Sequence, residues 1–129
     1  MNTAMRSLGL LTIAFLFLAA PVAQAQEDLS PEESFRKAND LFVQGEYTEA
    51  VALYRAAIAG RQDFKEAWYN LGAAHGQLRQ YDEEKAAYRK ALELDPAYAR
   101  AHYNLALALE DEGQAEEAVA EYRKTLEHE

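Results

Sequence analysis

The residues that could do chemistry are few and scattered. Histidines stand at 75, 102 and 128, and there is no cysteine. A zinc centre needs three or four converging ligands. His75 and His102 have no HExxH spacing and no third ligand, and His128 lies at the last positions of the chain. The serines are Ser7, Ser30 and Ser34, and none sits in a nucleophile motif. The six glycines form neither G-x-G-x-x-G nor a P-loop. Acidic runs occur at Asp82-Glu83-Glu84, Glu110-Asp111-Glu112 and Glu116-Glu117. They read as solvated faces and helix starts, where carboxylates suit the helix dipole, and no twelve-residue calcium loop surrounds them. The expectation is therefore a protein without catalytic, cofactor or metal residues.

What the sequence does instead is repeat. "AWYNLG" at 67–72 returns as "AHYNLA" at 101–106. With the same offset of 34 residues, Glu49, Glu83 and Glu117 align, as do Tyr54, Tyr88 and Tyr122, and Arg55, Arg89 and Arg123. Self-similarity at a fixed period of this size marks a stack of supersecondary units, each burying a face on its neighbour. Within a period the apolar spacing is helical: Trp68, Leu71, Gly72, His75 and Leu78 share one face. Ser30-Pro31-Glu32-Glu33 is a capping box with proline at the first helical position. Asp63-Phe64-Lys65-Glu66 and Asp95-Pro96 suggest further helix starts, and Gly45, Gly60 and Gly113 suggest left-handed helix ends. The spacing predicts helices over 31–44, 47–59, 64–79, 82–94, 96–112 and 115–128.

These features resemble the tetratricopeptide repeat family, in three units over 31–64, 65–98 and 99–129. The middle unit carries the signature most fully, with Trp68, Leu71, Gly72, Tyr88, Ala91 and Pro96; the first has Ala38, Ala50 and Tyr54, and the third Ala106, Ala118 and Tyr122. The resemblance implies an all-α solenoid of three tandem helix-turn-helix repeats. Ala38, Gly72 and Ala106 then fill the slot where the two helices of a unit meet, and a larger side chain there would overpack it. His102 takes the slot that Trp68 holds one unit earlier and reads as a packing residue. The middle unit departs from the pattern twice, with His75 for an aromatic and Glu84 for the small residue seen at Ala50 and Ala118. The two are expected either to face each other across the turn as a partly buried pair or to be tolerated singly, with Glu84 reaching water.

The resemblance also implies a concave, peptide-binding groove lined by the first helix of each unit. Its positions here are Phe35, Asn39 and Phe42, then Tyr69, Asn70, Ala73, Gly76 and Gln77, then Arg100, Tyr103, Asn104 and Leu107. Phe35, Tyr69 and Tyr103 recur at the period and would form either an aromatic ladder for a ligand or packing residues. Asn70 and Asn104 follow two of them and can both donate and accept. Ala73 and Gly76 are small and would leave a hollow. Basic residues near the groove are only Arg36 and Arg100, too few for a cluster that grips a terminal carboxylate.

The N-terminus carries a different message. Arg6, an uncharged apolar run from Leu8 to Ala20, Pro21 and the small-x-small sequence Ala23-Gln24-Ala25 follow the order of a secretory signal peptide. Residues 1–25 are expected to be that signal and 26–30 a short leader, with 31–129 the folded domain. The run is short for a membrane span, which needs about 20 apolar residues. The whole chain has a formal net charge of −9. Such an acidic surface argues against nucleic acid and anionic lipid and suits a basic or apolar protein segment. The expected protein is an exported adaptor, periplasmic or secreted, that holds a peptide or helix of an envelope protein. The alternatives are a structural module that self-associates through its last helix, and a non-catalytic accessory subunit of an envelope complex.

Overall fold

A computed structural model describes residues 28–129. The expected signal segment lies outside the described residues. Among the described residues six helices follow one another: α1 (Pro31–Gln44), α2 (Tyr47–Gly60), α3 (Lys65–Gln77), α4 (Tyr81–Leu94), α5 (Ala99–Asp111) and α6 (Ala115–Glu127). They pack chiefly on their neighbours in sequence, most closely within the pairs α1–α2, α3–α4 and α5–α6, and α1 also touches α3. This is the all-α solenoid expected from the period, a stack in which each unit leans on the next.

The core is built on small residues and tyrosines. Ala38, Ala50, Ala57, Ala67, Ala74, Ala91, Ala101 and Ala106 are fully buried, and Tyr54 and Tyr88 fill the space between them. Trp68 lies against both of the apolar clusters, joining the first half of the stack to the second. At Gly72 the approach is closest: a Cβ there would lie 2.7 Å from the Tyr88 ring and 3.1 Å from the backbone oxygen of Glu84.

Ser30 caps α1 as expected, with its hydroxyl accepting from Glu33 N–H and the Glu33 carboxylate accepting from Ser30 N–H. Other punctuation differs from the sequence reading. The Asp63–Glu66 box does not form; Phe64 is the N-cap of α3 and makes no side-chain cap bond. Asp95-Pro96 does not open α5. Asp95 instead closes a turn, with Oδ1 accepting from Ala97 N–H at 3.1 Å and Oδ2 accepting from Lys65 at 2.6 Å, and α5 starts at Ala99. The turn at Asp95 is why α5 starts later than predicted, whereas α3 starts close to its predicted position and ends early, at Gln77. Gly60 is no left-handed cap. It is the last residue of α2, and a Cβ there would meet Pro31 Cγ at 2.6 Å. Its smallness serves the crossing of α2 over the start of α1.

The left-handed turns are at Gly45 (φ 83°), Arg79 (φ 59°) and Gly113 (φ 77°). The three positions are one period apart. The middle unit makes the same turn with an arginine, at an expense in backbone strain that glycine avoids.

Candidate functional site: the concave groove

Along the inner side of the stack, α1, α3 and α5 present three hollows. The first, of about 370 Å³, lies between the first and second units, with Asn39, Phe42, Val43, Asn70 and Ala73 on its walls. The second, of about 390 Å³, is bounded by Ala73, Gly76, Gln77, Tyr81, Glu84 and Leu107, with Asp111 at its edge. The third, also about 390 Å³, carries Arg100, Tyr103 and Asn104.

The aromatic positions at the 34-residue period take different roles. Phe35 is partly buried and packs its ring on Phe64 and Tyr54, with centroids 4.6 and 5.9 Å apart. Tyr69 is only 9% exposed and sits between Tyr88 and Tyr98, at 5.7 and 5.3 Å. Tyr103, at 47% exposed, offers its ring to the groove. The first two are held by rings of their own unit, whereas Tyr103 packs on Tyr122, with centroids 5.8 Å apart, and stays exposed on its other side. Val43, Tyr81 and Leu107 are further exposed apolar side chains on this surface.

The asparagines are engaged with tyrosines. Asn39 Oδ1 accepts from Tyr54 O–H at 2.6 Å and from Asn70 Nδ2 at 2.8 Å. Asn104 Nδ2 donates to Tyr69 Oη at 2.7 Å. Burial pushes the Tyr54 phenol up to about 12, and burial likewise raises Tyr88. These hydroxyls stay protonated and hold the floor of the groove in place. Arg100 stacks its guanidinium over the Tyr69 ring at 5.1 Å.

His75 and Glu84 do not pair. His75 is buried, and its Nδ1–H donates to the side-chain carbonyl of Gln80 at 2.6 Å, within the turn that follows α3. Glu84 turns the other way, over Gly76; a Cβ on Gly76 would stand 2.7 Å from Glu84 Oε1. The physical reason is an exchange of size. The first unit has Phe42 and Ala50 at these positions, whereas the middle unit has Gly76 and Glu84, so the long side chain comes from the opposite helix. Burial raises the Glu84 carboxyl above its ordinary value, and the charges of Asp111 and Glu112 add to this.

A buried histidine–carboxylate pair does exist, one unit later. His102 is 4% exposed; its Nδ1 lies 2.6 Å from Glu121 Oε2 and its Nε2 lies 2.8 Å from the Pro96 carbonyl oxygen. The second contact repeats that of Trp68, whose Nε1–H donates to the Gln62 carbonyl at 3.1 Å. One period on, an imidazole keeps the same bond. Burial works to raise Glu121, but hydrogen bonds from Lys124 and His102 outweigh it and hold the carboxyl low. Lys85 is another partly hidden charge, bonded to Glu112 in the turn between α5 and α6. The sequence reading did not identify either contact.

No group of three or more metal-ligating side chains is found among the described residues. None of the helices there is long and apolar enough to cross a membrane. Buried side-chain polar atoms among the described residues all have partners. The groove therefore offers shape, exposed rings and a few charges.

Comparison with known families bears on the repeat directly. Three tetratricopeptide repeat profiles match, over residues 38–78, 65–98 and 87–120, and together they span more than half of the chain. The chain belongs to the tetratricopeptide repeat family. No curated protein matches this repeat protein. Among solved structures it is similar to a crystal structure of MamA, with TM-score 0.77 and 29% identity over 78% of this chain and 59% of that one. It is also similar to residues 41-end of MamA from Desulfovibrio magneticus RS-1, with TM-score 0.72 and 26% identity over 75% and 55%. The second TPR of Spaghetti (RPAP3), solved bound to the HSP90 peptide SRMEEVD, superposes with TM-score 0.75 at 23% identity, over 81% of this chain and 96% of that one. The repeat protein thus spans about three fifths of the first of these MamA chains and nearly the whole of the Spaghetti domain.

Proposed function

We propose that this repeat protein is an adaptor that holds a peptide or helical segment of another protein in its concave groove, without carrying out a reaction. The observation that carries the reading is the exposed run Val43, Tyr103 and Leu107 beside three hollows on one side of the stack. Exposed rings anchored on a rigid scaffold make good contact sites, because one stiff side chain covers a large area. That a domain of this fold is described with a peptide supports the reading at the level of fold.

The finer part of the proposal concerns place and partner. The order of features in residues 1–25 supports export to a periplasm or out of the cell, and so a partner in the envelope. The net charge of −9 supports a basic or apolar segment. A second reading, self-association through α6, draws on Val119 and Leu126, which are 48% and 74% exposed on that helix.

The test uses Tyr103→Ala and Leu107→Ser, both at exposed positions, in the full chain. Recovery of an envelope partner should fall at least tenfold while helicity stays unchanged. Undiminished recovery refutes the groove. Recovery of the chain itself, with a size that grows with concentration and is abolished by Leu126→Ser, would transfer the conclusion to α6.

A further inference from the structure

We propose that the hollow between α3, α4 and α5 is a pocket for one basic side chain of the captured segment, with Glu84 as its anionic floor and Asp111 at its rim. This rests on the groove reading and adds the feature that selects the segment and fixes its register.

The hollow is shaped and carries carboxylate charge that no cation answers, the Tyr88 hydroxyl being the group beside Glu84 that favours its ionised form. The hollow measures about 390 Å³, and its walls at Ala73, Tyr81 and Leu107 are apolar. A lysine or arginine has the matching form, a long apolar stem with a charged tip. Glu84 lies at the bottom, half-buried, because Gly76 leaves the space that any side chain would fill. Among the described residues neither Glu84 nor Asp111 is in an ion pair; the nearby Lys85 is committed to Glu112 and lies 3.6 Å from Asp82. Gln77 brings an amide to the same wall, whose oxygen can accept from an ammonium or guanidinium.

Burial, and then the charges of Asp111 and Glu112, disfavour the Glu84 carboxylate and outweigh the Tyr88 hydrogen bond and the slight help from Lys85. An incoming cation relieves that cost, so the site gains where it is now strained. The neighbouring hollows differ. The first has no carboxylate on its walls and includes Arg100, and the third includes Arg100 as well as Glu129. Of the three, the middle hollow has carboxylates and no arginine on its walls, so it suits a cation best, and a segment with one basic residue between apolar ones is favoured in one register. The occupant is thus a basic segment of another protein, selected by charge complementarity.

The experiment is an NMR titration of the full chain with Nα-acetyl-lysine-N-methylamide, run beside the norleucine and glutamate counterparts. The proposal expects saturable shifts of the amides around residues 84, 107 and 111 with the lysine compound alone. Half-saturation should rise at least about tenfold in Glu84→Gln, equivalent to about 1.4 kcal/mol, and two- to threefold in Asp111→Asn. Far-ultraviolet circular dichroism identifies any variant that has lost its fold, and Asp111→Asn, at an exposed position, provides the second reading in that case. Equal shifts with norleucine reduce the pocket to an apolar hollow and overturn the proposal, as does unchanged half-saturation in Glu84→Gln or the lack of any saturable response. A chain that captures its partner through Tyr103 yet ignores the lysine compound keeps the adaptor function and loses this pocket. A chain that takes the lysine compound but captures no partner has the pocket without the adaptor.

Discussion

Gly72 and Gly76 lie one turn apart on α3, and the same substitution should act on them in opposite directions. Replacing a helical glycine by alanine gains about 1 kcal/mol from backbone propensity at either site. The difference is what the new methyl meets. At Gly72 it would lie 2.7 Å from Tyr88 Cε1 and 3.1 Å from the Glu84 backbone oxygen. Tyr88 is 2% exposed, so its ring has no room to retreat. Overpacking of this kind costs about 1–3 kcal/mol, which offsets or exceeds the propensity gain. At Gly76 the obstacle is the tip of the Glu84 side chain, 2.7 Å away, which can swing toward the groove. Gly76→Ala should therefore stabilise by up to about 1 kcal/mol, and Gly72→Ala should be neutral to destabilising by about 2 kcal/mol. Urea unfolding at unchanged m-value measures both. In the double variant Gly76→Ala/Glu84→Ala, which copies the small residue of the other units, any residual clash should vanish and the gain should remain. If both single substitutions move stability by the same amount and in the same direction, the close-approach argument is refuted.

Other consequences can be checked in the same way. Arg79→Gly should raise stability by about 1 kcal/mol, since it removes the left-handed strain of a residue at φ 59°; an unchanged midpoint would mean that the Arg79–Tyr81 contact of 3.1 Å compensates for it. Glu84→Gln should stabilise the chain at neutral pH. The raised carboxyl binds more protons folded than unfolded, so its penalty is absent at low pH, grows as pH rises from the unfolded carboxylate value through the raised folded one, and is complete above that; a difference curve flat with pH would contradict this. Glu121→Gln should do the reverse. The lowered carboxyl contributes stability above its unfolded value and loses it as pH falls through the folded one, so the substitution should cost about 1–3 kcal/mol at pH 7 and progressively less in acid. Tyr69→Ala should destabilise by about 3–5 kcal/mol, as a buried ring, whereas Tyr103→Ala, which loses one ring contact with Tyr122, should cost only about 1 kcal/mol.

The fold was legible because its determinants repeat. Tyr54, Tyr88 and Tyr122, together with the small residues at 38, 72 and 106, recur at one spacing, and each copy supports the reading of the others. The turns were less legible. Asp95-Pro96 resembles a helix start, yet the Asp95 carboxylate serves Lys65 and a local turn, and that long-range contact leaves no trace in a local pattern. Arg79 was hidden for a different reason: the position is visible at the period of Gly45 and Gly113, but its residue type does not announce a positive φ. In the groove, the period assigned which residues face inward without saying how each is used. Phe35 is absorbed by Phe64 and Tyr54 and Tyr69 by Tyr98 and Tyr88, rings of their own units, while Asn39 and Asn104 are engaged by tyrosine hydroxyls. The direction of Glu84 had a signal in the sequence, the inverse sizes at 42/50 and 76/84, which becomes readable only by comparing two units at two positions together.

The account turns on the inner face of the stack being the surface that meets another protein. Site-specific photo-crosslinking tests this most directly, with the reactive group placed at Tyr103 in the groove or at Lys90, an exposed residue of α4 beside the separate hollow that Trp68 and Leu94 line. The account predicts a discrete heterologous adduct from position 103 that is lost with Leu107→Ser, and none from position 90. An adduct from position 90 alone, or equal adducts from both, would contradict it.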